Sequence, residues 1–220
     1  AYVLSSGLQG GLTSPSRPWF RLGLYDKGMT ENQEVKVWLK QVEEIMYNTF
    51  RRSNFYQAVH EGYLQLGTFG TMTLFVQEHP DYDVNFMPLE VGSYYVQVNS
   101  FNEIDTLFRE FELSIRVAAE KFGEDALSRS AQSQLTTAPE RTINIVHAIY
   151  RRDKDKVNND SLDPKNWRYA DVYFENSISE QDTYILFEGG FQEWPIAVGR
   201  WRGELYGVGP GHHSLGDVKM

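Results

Sequence analysis

Apolar residues recur at helical spacing between residues 35 and 66, which is the strongest periodic signal in the chain. The pattern predicts a long amphipathic helix, because residues three and four apart share one face. Its apolar face carries Val35, Trp38, Leu39, Val42, Ile45, Met46 and Phe50. A second helix continues the pattern with Phe55, Val59, Tyr63 and Leu66. The polar stretch 51–54 separates the two, so a bent helical pair is expected.

The ends of this helical pair carry residues typical of helix starts and stops. Thr30 and Gln33 match a capping box, which predicts that the first helix begins at Thr30. Gly67 and Gly70 are typical of the end of the second helix.

A shorter segment precedes the helical pair. Residues 1–12 favour a helix, although three glycines weaken it. Pro15 and Pro18 then end any helix, because proline lacks the backbone N–H donor. Residues 19–24, WFRLGL, alternate well enough to predict a β-strand.

β-Strand patterns dominate the remainder of the chain. Alternation and β-forming residues predict strands at 71–78, 84–89, 93–98, 104–113, 142–150, 169–175, 183–187 and 196–201. A helix is predicted over 115–122, between the cap Ser114 and the stop Gly123, and 124–134 adds one or two helical turns. Residues 151–166 are polar throughout and are expected to form an exposed, mobile loop.

Together these elements predict the α+β class. An amphipathic helical part over 1–70 is followed over 71–205 by a mostly antiparallel sheet region with one short helical insertion. The whole chain is expected to be a single domain. It begins at Ala1 and ends at Met220 within an apparently unfinished helix, so we expect it to be a fragment of a longer protein.

Composition narrows the function classes. The 220 residues contain no cysteine, which excludes disulfides, Cys-bound zinc and thiol catalysis within this sequence. No apolar run reaches the ~18 residues that cross a bilayer, and no signal-peptide pattern occurs. Aromatic residues make up 14%, which favours an ordered, well-packed protein.

The chain is acidic, with 21 basic and 30 acidic residues and a formal net charge of −9. Tight, sequence-independent DNA binding needs Lys and Arg to neutralise phosphates, so we expect only weak binding to nucleic acid. Two interpretations stay open: an ordinary acidic surface, or a wall that repels DNA and so lets it slide.

No catalytic, cofactor-binding or metal-binding residue is assigned from the sequence. The histidines are His60, His79, His147, His212 and His213, and their spacing does not fit a histidine metal site. His147 lies within an apolar strand pattern and is expected to be a hydrogen-bonded core histidine.

The glycine-rich stretch 207–211 bears a superficial likeness to a phosphate-binding loop. A dinucleotide fingerprint would need glycine where His212 stands, and the Gly-Lys-Ser/Thr of a P-loop is absent. The preferred interpretation is a tight turn that starts a helix, with Ser214 as the cap. The helix would then present an apolar face of Leu215, Val218 and Met220.

Paired carboxylates occur twice. Glu43 and Glu44 are adjacent on the predicted long helix and are expected on its solvent side. Glu110 and Glu112 share one face of a predicted strand. A solvated face is preferred there, with glycosidase-like acid–base catalysis as the alternative.

Basic residues cluster at 51–52 and at 151–156. Aspartates alternate with the basic residues of the second cluster and cancel most of its charge. A solvated loop is expected there, with a contact to a partner subunit, to another protein assembly or to DNA as the alternative.

Six segments occur in the order expected for the head-to-tail connecting (portal) proteins of short-tailed bacteriophages, or podoviruses, and the chain resembles that family over nearly its whole length. They are GLQGGLTSPSRPWFRL (7–22), RSNFYQAVHEGYLQLGTFGT (52–71), PLEVGSYYV (88–96), VHAIY (146–150), FEGGFQEWPIAVGRW (187–201) and YGVGPGHHSLGDVKM (206–220). Each segment is modestly specific alone, and the order of all six carries the resemblance.

The resemblance implies a structural subunit of a homo-oligomeric ring, usually a dodecamer, at one vertex of the capsid. Double-stranded DNA would pass through during packaging and ejection without tight binding. The implied partners are the terminase packaging motor and the tail and capsid proteins, with no membrane. The implied location is the virion, after synthesis in the host bacterial cytoplasm.

The resemblance also implies which part of the subunit is present. The chain would match the wing, and 206–220 would start the stem helix, with the clip, the crown and the rest of the stem missing. The family implies no catalytic residue and no cofactor, since ATP hydrolysis belongs to the terminase. The family often has arginine where this chain has Val208, so no role of that side chain is transferred.

Two other functions stay open. One is a different capsid or tail adaptor, or a phage scaffold protein, which ring stoichiometry would distinguish. The other is a carboxylate-based hydrolase, which a pocket with two facing carboxylates of raised pKa would favour.

Overall fold

The computed structural model describes residues 1–176, 184–203 and 205–218. The helices in this part of the chain are α1 (Tyr2–Leu12), α2 (Lys27–Glu31), α3 (Gln33–Arg52), α4 (Phe55–Phe69), α5 (Ile115–Phe122), α6 (Arg129–Gln134) and α7 (Pro210–Val218). The strands are β1 (Thr71–His79), β2 (Asp83–Leu89), β3 (Tyr94–Val98), β4 (Ile104–Ser114), β5 (Thr142–Arg151), β6 (Tyr169–Glu175), β7 (Tyr184–Phe191) and β8 (Ile196–Arg200). The predicted α+β class is confirmed.

The predicted strands after residue 70 are all present. They differ from the sequence patterns only by a residue or a few at their ends, where assignments ordinarily vary. Residue 183, the predicted start of the seventh strand, lies outside the described residues.

The chain forms two compact units, with Ala1–Val91 and Ile196–Met220 in unit 1 and Gly92–Pro195 in unit 2. Unit 1 contains an antiparallel three-stranded sheet in the order β2-β1-β8. Helix α4 packs on β1 and β2, and α1 packs on α4. The last part of the chain therefore completes unit 1, because β8 pairs with β1.

Aromatic side chains fill the core of unit 1. The Trp19 ring stacks on Phe55 with centroids 5.8 Å apart, and Phe50 stacks on Phe55 at 4.3 Å. Phe86 from β2 meets Phe55 edge-on at 5.0 Å. Such pairs stabilise a core beyond the area that they bury, so this cluster joins the N-terminal segment, both long helices and the sheet.

The predicted strand over 19–24 is wrong, because this segment is extended but pairs with no strand among the described residues. Four of its backbone polar groups are satisfied by side chains of α3. The Trp19 and Phe20 amides donate to the Tyr47 hydroxyl at 2.8 Å, and the Leu22 amide donates to Glu43 at 2.5 Å. Glu43 is thus a half-buried acceptor, and its predicted solvent-facing position is also wrong.

The predicted helix start at Thr30 is wrong as well. Thr30 belongs to the short helix α2, and α3 begins three residues later at Gln33. Asn32 is the N-cap, and its side chain accepts the Glu34 amide at 2.9 Å. Asparagine is among the strongest N-cap residues, and here its cap forms in place of the predicted capping box.

Unit 2 is an antiparallel meander in the order β3-β4-β5-β6-β7. Helices α5 and α6 cover one face, and the core between them and the sheet includes Ile115, Ala118, Leu127, Ala131 and Ile145. Ser114 caps α5 by accepting the Val117 amide at 3.4 Å, and Gly123 follows its last turn, as predicted. The helical insertion therefore covers one sheet face.

The polar segment 151–166 is more organised than predicted. It contains 3₁₀ turns at Lys154–Lys156 and Pro164–Asn166. The Asn158 amide donates to the Asn166 carbonyl at 2.7 Å, and the Trp167 indole donates to the Ser161 carbonyl at 2.8 Å. Most of its side chains are exposed, as expected, but these hydrogen bonds give the backbone a defined path.

Candidate interaction surfaces and the buried polar cluster

A row of paired residues crosses the covered face of the unit 2 sheet. Arg109, His147, Tyr173 and Phe187 stand opposite one another on β4, β5, β6 and β7. His147 is 1% exposed and stacks on the Tyr173 ring with centroids 3.9 Å apart. Its Nε2 lies 2.6 Å from Asp171 Oδ1. The prediction of a hydrogen-bonded core histidine is confirmed.

Burial shifts the pKa values of three side chains in this cluster. Burial lowers the pKa of His147, and the hydrogen bond to Asp171 opposes that shift. Burial also lowers the pKa of Lys121, whose Nζ lies 4.6 Å from the centre of the Tyr173 ring. Burial raises the pKa of the Tyr173 phenol. The carboxylate of Asp171 accepts from the neutral imidazole, which therefore carries its proton on Nε2.

This polar cluster has the residue types of a catalytic site, but its histidine is buried. His147 is covered by the sheet and by the stacked Tyr173 ring, which disfavours contact between its ring nitrogens and an outside reactant. Among the described residues no group of three or more His, Asp or Glu side chains is placed to hold a metal ion. The cluster joins β5 to β6 through His147 and joins α5 to β6 through Lys121.

The paired carboxylates Glu110 and Glu112 lie on the opposite face of the sheet, and both are exposed. The Asn176 amide group donates to Glu110 at 3.2 Å. The predicted solvated face is confirmed.

That opposite face, which we call the open sheet face, carries apolar side chains beside these carboxylates. It is formed by Tyr95, Phe108, Val146, Val172, Phe174 and Ile185. Tyr95 is 67% exposed, Phe108 41% and Ile185 57%. Antiparallel sheets usually place polar residues on a face that meets water. Contiguous exposed apolar residues of this kind mark an interaction site.

Helix α3 carries a second apolar surface, the α3 stripe, formed by Val37, Trp38 and Ile45. The predicted apolar face is wider than the part that unit 1 buries. Leu39 and Tyr47 are buried, whereas Trp38 is 56% exposed and Ile45 is 63% exposed. Trp38 and Ile45 are two helical turns apart and so lie on the same side of the helix.

Basic side chains line a cavity of about 290 Å³ beside the end of β5, namely those of Arg151, Arg152, Lys154 and Arg168. Arg152 is not the solvated loop residue that the sequence predicted. Its side chain is 11% exposed, donates to the Gly189 carbonyl at 2.8 Å and lies 3.4 Å from Glu188. Sequence spacing could not reveal this pairing, because Glu188 lies on a distant strand.

Glycines bring the end of α4 against the start of α7. Gly70 adopts a left-handed conformation, with φ of 77°, and ends α4. A Cβ on Gly207 would lie 1.9 Å from the Gly70 carbonyl oxygen, and one on Gly211 would lie 2.2 Å from the Thr68 carbonyl oxygen. The Gly207 amide donates to the Thr71 hydroxyl at 2.7 Å. The glycines of 207–211 thus permit close backbone packing.

The predicted turn before a helix is confirmed, but the predicted cap is wrong. Helix α7 begins at Pro210, so Ser214 lies inside it and donates to the Pro210 carbonyl at 3.2 Å. Proline is favoured in the first turn of a helix because its fixed φ suits that position and no donor is needed. The side chains of the predicted apolar face of this helix lie outside the described residues.

Comparison with known families decides where the chain belongs. The family model described as bacteriophage head to tail connecting protein matches residues 1–220. The chain is a member of the bacteriophage head-to-tail connecting protein family. It is 38% identical over 224 residues to the portal protein of Salmonella phage epsilon15 and 36% identical over 225 residues to a probable portal protein of Bordetella phage BPP-1. Both matches cover 99% of this chain and 39% of the relative.

Three of the six family-like segments of this connector-family chain, 7–22, 52–71 and 206–220, meet in unit 1. Segments 7–22 and 52–71 are joined by the Trp19–Phe55 stack. Segment 206–220 is joined to 52–71 where Gly207 meets Gly70. No helix in the described ranges of this family member is long and apolar enough to cross a membrane.

Proposed function

We propose that the chain is the middle part of a subunit of a phage portal ring at the capsid vertex. In this proposal both units form the wing, and α7 begins the stem helix. The ring is a conduit for DNA packaging and ejection and a platform for tail attachment. The observation that carries the proposal is the family match over the whole chain, in a molecule with apolar surface left uncovered on both units.

The two uncovered surfaces suit a closed ring of identical subunits. A ring is built from head-to-tail contacts, in which one surface of a subunit meets a different surface of the next. The open sheet face and the α3 stripe are different surfaces on different elements. Both expose large apolar side chains, which a neighbouring subunit would remove from water.

The partners that we propose follow from the same role. The terminase motor would dock on the ring, and the tail and capsid proteins would contact it in the virion. Double-stranded DNA would pass through without tight binding, consistent with the net charge of −9. A dodecamer is the proposed stoichiometry, and the subunit itself would carry out no catalysis.

Electron microscopy of the purified full-length protein tests this proposal. We expect rings of uniform subunit number, with twelve as the expected count. In the same preparation we expect no nucleotide hydrolysis above a buffer blank, because in this proposal ATP hydrolysis belongs to the terminase and not to the ring. A protein that stays monomeric at micromolar concentration, or that hydrolyses ATP without terminase, would contradict the proposal.

A further inference from the structure

The basic cavity beside the end of β5 is lined by four cations and, among the described residues, by no acid. Its lining belongs to unit 2 alone and consists of Arg151, Arg152, Lys154, Val157, Asn159 and Arg168. The sequence pattern predicts that aspartates between the basic residues cancel their charge. In the structure Asp153 and Asp155 do not line the cavity, and the Asp153 carboxylate lies 3.6 Å from the Lys156 amino group. The positive charge of the cavity is therefore not offset from within its lining.

Arg152 brings a buried charge to this cavity. Its side chain is 11% exposed, and its Nη2 donates to the Gly189 carbonyl at 2.8 Å. Its Nη1 lies 3.4 Å from Glu188, a carboxylate that also lies 3.8 Å from the Lys165 amino group. The Arg152 Nε is shielded from solvent and has no hydrogen-bond partner within the described ranges. Buried donors are rarely left unpaired, so an anion beside this guanidinium would stabilise it.

The other three cations of the cavity are not paired with acids. In the described part of the chain no carboxylate lies within 4 Å of the charged groups of Arg151, Lys154 or Arg168. The Arg168 guanidinium lies 5.4 Å from the centre of the Tyr169 ring, a contact that positions the group without neutralising its charge. Like charges that gather without a counter-ion repel one another, so the cavity attracts an anion.

Hydrogen bonds to backbone groups fix the walls of the cavity. The Arg152 amide donates to the Arg168 carbonyl at 3.0 Å, and the Arg168 amide donates to the Asn159 side-chain oxygen at 3.0 Å. The Gln192 side chain donates to the Asn159 carbonyl at 3.0 Å. These bonds join segments that are apart along the chain, so the walls are in place before a ligand binds. A preformed site loses less conformational freedom on binding.

The chemistry of the lining indicates which anion fits. Three of the four cations are arginines, whose planar guanidinium groups match the oxygens of a phosphoryl group. The excess of positive charge favours a dianion over a monoanion, because the attraction grows with the charge of the ligand. Among the described lining residues none is aromatic, so a nucleoside base has no ring to stack on. The cavity therefore fits a phosphoryl group and not a base.

We infer that this cavity binds a phosphate dianion, either inorganic phosphate or the end of a phosphate monoester. In this site Arg151, Lys154 and Arg168 donate to the phosphate oxygens, and the charge of the anion stabilises the buried Arg152 guanidinium. The site goes beyond the proposed ring function. Because its lining comes from unit 2 of one chain, binding does not require a neighbouring subunit.

Calorimetric titration of the full-length protein with inorganic phosphate, at constant ionic strength in chloride, tests the site. We expect saturable binding to the wild-type protein. The double variant Arg151→Gln, Lys154→Gln should weaken binding by about tenfold or more, because two charge-assisted hydrogen bonds are lost. Both positions are exposed, so the fold should tolerate the change. The matched control, Arg51→Gln with Arg52→Gln, removes the same charge from an exposed pair at the end of α3 and should leave phosphate binding unchanged.

Two further ligands distinguish the sources of the phosphoryl group. Competition by glycerol 3-phosphate would extend the site to monoesters, and its absence would assign the site to free phosphate. Dimethyl phosphate is a monoanionic diester, like the backbone of nucleic acid, and should compete about tenfold more weakly than inorganic phosphate.

Hydrogen exchange locates the binding. With phosphate present, amides in 151–168 should exchange more slowly in the wild-type protein and should not do so in the Arg151, Lys154 variant. The inference is overturned if wild-type protein shows no saturable binding, if the Arg51, Arg52 control loses binding equally, or if dimethyl phosphate competes as well as phosphate. None of these results bears on ring formation, which electron microscopy measures separately.

Discussion

At the scale of single residues, burial gives ordinary side chains specific tasks. His147 is neutral because burial lowers its pKa, and it is fixed by Asp171 on one side and by the Tyr173 ring on another. Tyr47 bonds to the backbone of the N-terminal segment in place of a partner strand. Its hydroxyl accepts the Trp19 and Phe20 amides and donates to the Phe20 carbonyl. Both residues form hydrogen bonds with polar groups that would otherwise be unpaired away from water.

His147 makes the stability of β5 depend on pH. The unfolded chain binds a proton at this residue more readily than the folded chain does, because the folded pKa lies below the ordinary value of about 6.5. Stability should therefore be greatest above pH about 6.5 and should fall below it by up to about 1.4 kcal/mol per pH unit. Hydrogen exchange of β5 and β6 peptides in the full-length protein, corrected for intrinsic rates, measures this.

Replacement of the histidine separates its two effects. His147→Gln should cost about 0.5–1.5 kcal/mol near pH 7, because the glutamine amide can still donate to Asp171 but no longer stacks on the Tyr173 ring, and it should flatten the pH dependence. His213→Gln, at an exposed position, is the control and should change neither. An unchanged slope between pH 7 and pH 5.5 in His147→Gln would show that another group causes it.

At the scale of elements, side chains and glycines decide how neighbouring segments join. Helix α3 holds the extended segment 19–24 with Tyr47 and Glu43 rather than with a partner strand. The turn before α7 packs directly on the end of α4. The two backbone segments can approach this closely because Gly70 and Gly207 have no side chain between them. The α7 direction therefore depends on residues that lack a Cβ.

Gly207→Ala should disrupt this join. Its Cβ would meet the Gly70 carbonyl oxygen at 1.9 Å, and a backbone atom cannot move aside as a flexible side chain can. Overpacking of this kind costs about 1–3 kcal/mol or more. Thermal unfolding of the full-length protein should show a clear loss of stability. Gly203→Ala, which has nothing within 4 Å of the added methyl group, should stay close to wild type.

At the scale of the whole molecule, negative charge and uncovered apolar surface set what the chain can bind. Because it has 30 acidic and only 21 basic residues, the chain disfavours binding to the phosphate backbone of nucleic acid. Its exposed apolar surfaces favour binding to other proteins, in agreement with its membership of the connector family.

DNA affinity should therefore be weak and sensitive to salt. Filter binding of the full-length protein to a duplex of mixed sequence should give a measurable signal only at low ionic strength, and that signal should be lost by about 0.2 M salt. Arg151→Ala with Lys154→Ala tests whether the basic cavity causes the residual binding, because both side chains are exposed on its rim. Tight binding that persists at 0.2 M salt would contradict a conduit that does not grip DNA.

The sequence by itself determined most of the element types, the caps of α5, the order of the strands after residue 70 and the acidic, cysteine-free character. These depend on periodicity, on turn residues and on composition, which act between neighbours along the chain. It also indicated the family through six ordered segments, which the whole-chain match confirms.

Only the tertiary structure decided which groups meet. His147 and Asp171 are 24 residues apart, and Gly207 and the Thr71 hydroxyl are 136 apart. No local pattern encodes such distances. The structure likewise decided that part of the α3 apolar face stays in water, because a helical period shows that a face is apolar but not how much of it the chain can cover.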